Sequence, residues 1–242
     1  MKLSMEIPTA LLKTISSLVD LDFILAQFVL EDPDYAEFFR KSTRFKILDN
    51  GFHERGEPLS LTEIAEAAER CAPNVVIAPD WLGDAARTYE GFTATKKKLG
   101  SAYKLGTVLQ GKTREERVSF FNAVRSDTHL LCLPFKSERY SNFSELVDAT
   151  PKHIKWPPRI HLLGMKSLQE MKLFADLFND LGISHRTSVD TGKLVKFGIA
   201  KQAIDEYTEL RGKGLLDHNG KKFDSEQFAN IFFNVAFARK YM

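Results

Sequence analysis

The chain has 242 residues, with 34 basic and 32 acidic side chains and a net charge of +2. That length suits a single domain, residues 1–242, with one full hydrophobic core, and so even a charge does not itself demand a nucleic-acid partner; any basic surface must come from arrangement. The two cysteines, Cys71 and Cys132, form no C-x-x-C pair, which excludes a zinc site built mainly from thiolates and fits two buried thiols in a reducing compartment.

The first residues are partly apolar, but Lys2, Glu6, Lys13, Asp20 and Asp22 interrupt them. No run reaches the ~18 apolar residues of a membrane span, so a cytoplasmic protein is expected. Asp22 to Val29 reads as a first buried strand, followed by a turn and the aromatic segment Tyr35 to Arg40. A second strand ends at Asp49 and opens into the Gly-rich, charged loop Asn50 to Pro58, the kind of loop that carries function at a barrel mouth. Ser60-Leu61-Thr62-Glu63 is a capping box, with Ile64, Ala67, Ala68 and Cys71 following at helical spacing.

A third strand ends at Asp80, and Asp84 to Leu99 reads as a helix closing on Lys96-Lys97-Lys98. A fourth strand ends at Gln110. Thr113 to Glu116 caps the next helix, with Val118, Phe121 and Val124 on its inner side. Thr128 to Leu133 is the fifth strand, and Asn142 opens a short helix. Arg159 to Gly164 is the sixth, and Ser167 caps an amphipathic helix carrying Met171, Phe174, Leu177 and Phe178. The seventh strand ends at Asp190, and Leu194 to Ala200 is a weak candidate for the eighth. A last helix runs from Asp224 to Met242, with Phe228, Ile231, Phe232, Val235 and Phe237 turned inward. Strict alternation in units of ~30 residues argues for a parallel sheet with helical crossovers, and a TIM-type (β/α)8 barrel fits the length better than an open sheet. No glycine-rich dinucleotide fingerprint follows any strand.

Asp49, Asp80 and Asp190 stand at strand ends, with Gln110 among them. Three carboxylates can hold Mg²⁺, move protons, or attack carbon, and composition does not choose between these. The bland alternative is that each acid caps a helix or ties down its own loop.

The ordered series Leu48-Asp49-Asn50-Gly51-Phe52, Ala78-Pro79-Asp80, Val108-Leu109-Gln110-Gly111, Ile160-His161-Leu162-Leu163-Gly164 and Val189-Asp190 resembles the tRNA-guanine transglycosylase superfamily. The nearest branch in form is the DNA-guanine transglycosylases of bacteria and their phages, the DpdA type, which insert 7-deazaguanine bases into DNA. The resemblance implies Asp190 as the nucleophile at the sugar C1′ and Asp49 as the general acid/base. It implies Asp80 and Gln110 as the groups that read the base, Gly111 beside them, Phe52 as an aromatic stacked on the base, and Leu163 as an apolar wall. Cys132-Leu133-Pro134 matches a stretch whose backbone lines the pocket. The implied partners are DNA, with a guanine nucleotide flipped out or single-stranded, and a 7-deazaguanine base of the preQ0 or preQ1 type. No cofactor and no metal are implied, and the location is the host cytoplasm if the chain is phage-encoded.

The chain departs from the tRNA enzymes in three ways. No cysteine follows Cys132, so their zinc subdomain is missing; the loop after Asp49 is one glycine shorter; and the basic stretch after the nucleophile is echoed only by Lys193, Lys196 and Lys201. These three lysines, with Lys221, Lys222, Arg239 and Lys240, are the candidates for contact with a phosphate backbone. His53, His161 and Trp81 lie near the implied residues in sequence; His161 is expected in the barrel or pocket wall, and Trp81 either at the rim or under the next helix. Phe38-Phe39 and Phe232-Phe233 are expected in the core. The rival readings are a reduced transglycosylase acting on tRNA, a non-catalytic partner subunit, and a Mg²⁺-dependent aldolase or lyase.

Overall fold

A computed structural model describes residues 1–136, 138–151, 154–206, 208 and 222–242. Its strands are β1 (Lys2–Ser4), β2 (Asp22–Ile24), β3 (Lys46–Leu48), β4 (Val75–Ile77), β5 (Lys104–Val108), β6 (Leu130–Leu133), β7 (Arg159–Leu162) and β8 (Thr187–Asp190). The α-helices are α1 (Thr9–Ile15), α2 (Ala26–Glu31), α3 (Pro33–Lys41), α4 (Phe52–Arg55), α5 (Leu61–Cys71), α6 (Ala85–Leu99), α7 (Arg114–Val124), α8 (Arg139–Ala149), α9 (Leu168–Asp180), α10 (Lys193–Ile199) and α11 (Ser225–Ala238). The strands form one eight-stranded sheet in the order β1-β8-β7-β6-β5-β4-β3-β2. Strands in near-sequential order, each followed by helix, give a TIM-type (β/α)8 barrel. By internal contacts the chain divides into two compact units, Phe23–His161 and the combination of Met1–Asp22 with Leu162–Met242.

In the unit Phe23–His161, β3, β4, β5 and β6 pair in parallel, with Ile47 opposite Val75, Val76 opposite Leu105 and Thr107 opposite Leu131. Every residue of β4 and β6 is buried, the near-continuous apolar pattern of a parallel sheet covered on both faces. Both expected capping boxes are present, Ser60 with Glu63 and Thr113 with Glu116, each satisfying two orphan donors at a helix start. The inner side of α7 is Arg117, Phe120, Phe121 and Val124, with Val118 only half-buried. Among the buried charged residues, Lys46 of β3 donates its ammonium to Phe39 O at 3.2 Å and Cys71 O at 3.1 Å. Those carbonyls lie in the last turns of α3 and α5, where a cation offsets the negative ends of two helix dipoles.

Two expectations for this unit change. The first strand stops at Ile24, and Ala26 to Glu31 is helix, packed against α3 and α5. Ala26, Gln27, Phe28 and Val29 are buried consecutively, a run that periodicity cannot assign to strand or helix. The break is fixed by Tyr35, whose hydroxyl accepts from Leu25 N at 3.2 Å. Helix α8 begins at Arg139, three residues ahead of Asn142.

In the other unit β1 pairs in parallel with β8, Lys2 opposite Ser188, Leu3 opposite Val189 and Ser4 opposite Asp190. The eighth strand is therefore this N-terminal one, and Leu194 to Ala200 is not a strand. That segment is α10, with Leu194, Val195 and Gly198 buried on one helical face. Gly198 is where α11 crosses: a Cβ there would lie 2.4 Å from Ile231 Cγ1 and 2.6 Å from Ile231 N. Helix α11 ends at Ala238, and its inner face is Ile231, Asn234, Val235 and Ala238. Phe232 and Phe233 are 43% and 50% exposed, while Phe228 and Phe237 are half-buried, so most of its aromatics face outward. The buried polar residue is Asn234, which donates to Leu194 O at 3.2 Å and Gln202 O at 3.0 Å and accepts from Ile204 N at 2.9 Å. Lys221 lies outside the described residues.

Candidate functional site

The expected base-reading residues form one hydrogen-bonded cluster. Asp80 stands three residues beyond β4 and is 5% exposed. Asn50 Nδ2 donates to its Oδ1 at 2.8 Å and Gln110 Nε2 to its Oδ2 at 2.7 Å. Both amides are themselves oriented. Asn50 also donates to Ala78 O at 2.9 Å and accepts from Phe52 N at 3.0 Å. Gln110 Oε1 accepts from Gly83 N at 2.9 Å and from Lys136 Nζ at 3.5 Å. Burial pushes the Asp80 carboxyl above its ordinary range, and the two amide donors and nearby Lys136 pull only part of the way back. Each carboxylate oxygen holds one amide and keeps a second lone pair, so this acid can still accept from a donor edge such as N1–H and the exocyclic amine of guanine.

Asp49, one residue past β3, is buried, and its Oδ2 accepts from Gly51 N at 2.9 Å. Gly51 takes a φ of 77°, and a Cβ there would crowd Gln27 Oε1 at 3.2 Å and Leu59 at 3.3 Å, so the turn that holds Asp49 requires glycine. Phe52 opens α4 and is half-buried, and His53 beside it is exposed. Gly111, at φ 141°, abuts Arg117 so closely that a Cβ would lie 3.0 Å from both Cγ and N of that residue.

In the other unit, Asp190 is the last residue of β8 and is 2% exposed. Its Oδ1 accepts from Gly164 N at 3.0 Å, which fixes the direction of the carboxylate. Leu163, just before that glycine, is half-buried. Lys193 and Lys196 lie half-buried on α10, whereas the ammonium of Lys201 is taken by Asp224 at 2.8 Å and Glu226 at 2.7 Å, and these two acids hold it above its ordinary range. Lys201 is thus poorly disposed toward a phosphate backbone.

Other expectations resolve simply. His161 is fully buried and stacks on Phe23 with ring centroids 5.2 Å apart. Trp81 packs on α6 against Gly91, with the Arg87 guanidinium 4.3 Å from its ring centroid. Lys96 pairs with Asp127 at 2.9 Å and Lys98 donates to Thr62, as side chains of a helix end. Cys71 and Cys132 are both buried, and burial pushes the Cys71 thiol up to about 12. Among the described residues no three His, Cys, Asp or Glu side chains gather as a metal site, and no helix is long and apolar enough to cross a membrane.

Sequence reasoning gave no role to Asn50 or Lys136. Asn50 lies inside the Leu48–Phe52 segment, but nothing in its spacing announces that its amide reaches 30 positions along the chain to Asp80. Lys136 follows β6, in a segment with no recognisable pattern; its ammonium is held below its ordinary range by desolvation first and then by Arg117.

No protein-family model matches the chain, and no curated protein does. Solved structures are similar in fold. The YdjI aldolase from Escherichia coli K12 superposes with a TM-score of 0.57 at 9% identity, covering 99% of this chain and 88% of that one. KGPDC from Streptococcus mutans gives 0.43 at 12% identity over 75% of this chain and 80% of that one. A dihydrodipicolinate synthase from Agrobacterium tumefaciens gives 0.48 at 13% identity over 75% and 62%. At such identities the likeness is one of fold.

Proposed function

We propose that the chain is an enzyme of base exchange that replaces guanine in DNA with a 7-deazaguanine base by double displacement. The observation that carries this reading is the Asp80 cluster: a buried acceptor held between two oriented amides, Asn50 and Gln110. Its remaining lone pairs suit the N1–H and amine of guanine, and the second N–H of Gln110 suits O6. Adenine would leave these buried groups without partners, which is how such a site discriminates strongly.

In the proposed reaction an oxygen of Asp190 attacks C1′ of the deoxyribose. The bond from C1′ to N9 breaks with its electron pair going to the guanine, which takes a proton from Asp49. A covalent glycosyl-enzyme remains. Asp49, now a carboxylate, removes the N9 proton of the incoming deazaguanine, whose nitrogen displaces Asp190 from C1′. Splitting one substitution at an oxocarbenium-like centre into two steps is the logic of retaining glycosidases. The buried, backbone-held carboxylate of Asp190 supports the nucleophile's role, and the tight Gly51 turn supports a fixed acid/base at Asp49.

The test is exchange of labelled guanine into DNA and into tRNA, side by side, with and without a chelator. Incorporation into DNA that survives chelation is the expected result. Exchange confined to tRNA would redirect the reading to the tRNA branch, and activity on neither polymer would overturn it.

A further inference from the structure

Four side-chain amides are buried among the described residues: Gln27, Asn50, Gln110 and Asn234. Asn50, Gln110 and Asn234 are each held by two or more hydrogen bonds. Gln27 is not. It is 5% exposed, its Oε1 and Nε2 are both out of reach of water, and neither meets a hydrogen-bond partner among the described residues. Its neighbours on α2 are Ala26, Phe28 and Val29, all buried and apolar. A buried amide in that state costs more than an apolar side chain of the same shape, so methionine would serve the fold better at this position. Glutamine here points to a partner met in another arrangement of the same groups.

The place of the amide says which partner. Gln27 lies in the first turn of α2, and a Cβ on Gly51 would lie 3.2 Å from its Oε1, so that oxygen faces the Gly51 backbone. Gly51 belongs to the turn that carries Asp49, and its N–H is given to Asp49 Oδ2 at 2.9 Å. One N–H therefore has an acceptor that holds it and a second acceptor facing the same residue. A charged carboxylate is the stronger of the two; once protonated it loses that advantage over an amide oxygen. The backbone itself is pinned, because Leu59 N donates at 2.9 Å to Asn50 O, on the same peptide as the Gly51 N–H. The movement falls to the Gln27 side chain, whose terminal torsion is soft.

We propose that Gln27 is a positioning residue for Asp49, taking the Gly51 N–H whenever Asp49 is protonated. This role rests on the reading of Asp49 as the acid/base of base exchange. In that reaction Asp49 enters the first step neutral, with its proton on a carboxyl oxygen. The Gly51 N–H passes to Gln27 Oε1, which frees the Asp49 carboxyl to turn toward the leaving guanine. The guanine nitrogen takes the proton as the bond from C1′ to N9 breaks with its electron pair. Asp49, again a carboxylate, recovers the Gly51 N–H, and the hand-over repeats when it removes the proton of the incoming base. Gln27 touches neither base nor sugar and exchanges no proton.

The test uses the whole chain with Gln27→Met, which keeps the length of the side chain, and Gln27→Leu as a second variant. Melting temperatures and the kinetics of labelled guanine exchange into DNA are measured for both beside the parent. The expected result is a melting temperature equal to or above the parent's, with kcat about ten-fold lower, the loss of one hydrogen bond made in the transition state, and KM unchanged. A solely structural glutamine would give the opposite pair, a lower melting temperature with kcat kept. A fall in melting temperature in both variants would show that the amide is already satisfied in the fold. That result, or an unchanged kcat in both variants of an active protein, would overturn the role and leave base exchange standing. A parent that exchanges no base would overturn the base-exchange reading and this role with it.

Discussion

Asp80 and Asp190 are both buried carboxylates at strand ends, yet the chain holds them differently. Asp80 is gripped through both oxygens by side-chain amides, each locked by further bonds to backbone. Asp190 receives a backbone amide, from Gly164. A backbone donor survives any substitution at its own position that keeps the turn, so it places a group reliably. Side-chain donors have a fixed chemical sense and make the site selective for what stands between them. The first arrangement fits a group that reads a ligand, the second a group that must point in one direction.

The largest effect should come at Asp190. Asp190→Asn keeps an oxygen for Gly164 N, so the fold should be retained, while base exchange falls on the order of 10³-fold or more because the nucleophile is gone. Melting curves beside exchange rates check both halves. Asp80→Asn should do the reverse in stability. Its new NH₂ would face either Asn50 or Gln110, both of which present donors and neither of which can turn over without losing its other bonds. A loss of about 1–3 kcal/mol is expected in urea unfolding. An Asp80→Asn protein as stable as the parent would break the distinction.

A smaller effect concerns pH. Burial raises the Asp80 carboxyl, so the folded protein keeps that proton to higher pH than the unfolded chain does. Where the folded state binds more protons, stability falls as pH rises, here from the ordinary carboxylate range up through the raised value. That descending component should vanish in Asp80→Asn when the two proteins are unfolded across a pH series. The smallest effect is at Cys71, a buried titratable group with no role in either cluster. With its thiol pushed up to about 12, it should resist thiol reagents in the native protein at pH 8 and react only on unfolding.

Much of the fold was legible because the longer elements announce themselves. Ser60 and Thr113 mark helix starts by capping chemistry, and β3, β4 and β5 are largely buried runs followed within three residues by a polar one, Asp49, Asp80 and Gln110. Lys2–Ser4 carries a single apolar residue, Leu3, so no pattern marks it as a strand, while Leu194–Ala200 is apolar enough to read as one although its Gly198 is set by the close approach of Ile231 in the helix that crosses it. Phe232 illustrates the same limit: helical spacing shows which residues share a face, but not which face another element covers. Of the site, Asp80 and Gln110 were readable as neighbours, and their hydrogen bond places them together. Asn50 and Lys136 were not, because their importance lies in contacts across 30 and 26 positions that no local pattern encodes.

The most direct test of the account is to trap the intermediate. The protein is incubated with guanine-containing DNA and a 7-deazaguanine base, resolved on a denaturing gel, and the DNA digested for nucleoside mass spectrometry. A protein–DNA adduct that disappears in Asp190→Asn, together with deazaguanosine in the digest, is the predicted result. An adduct that persists in Asp190→Asn, or DNA that stays unmodified under every condition, would contradict it.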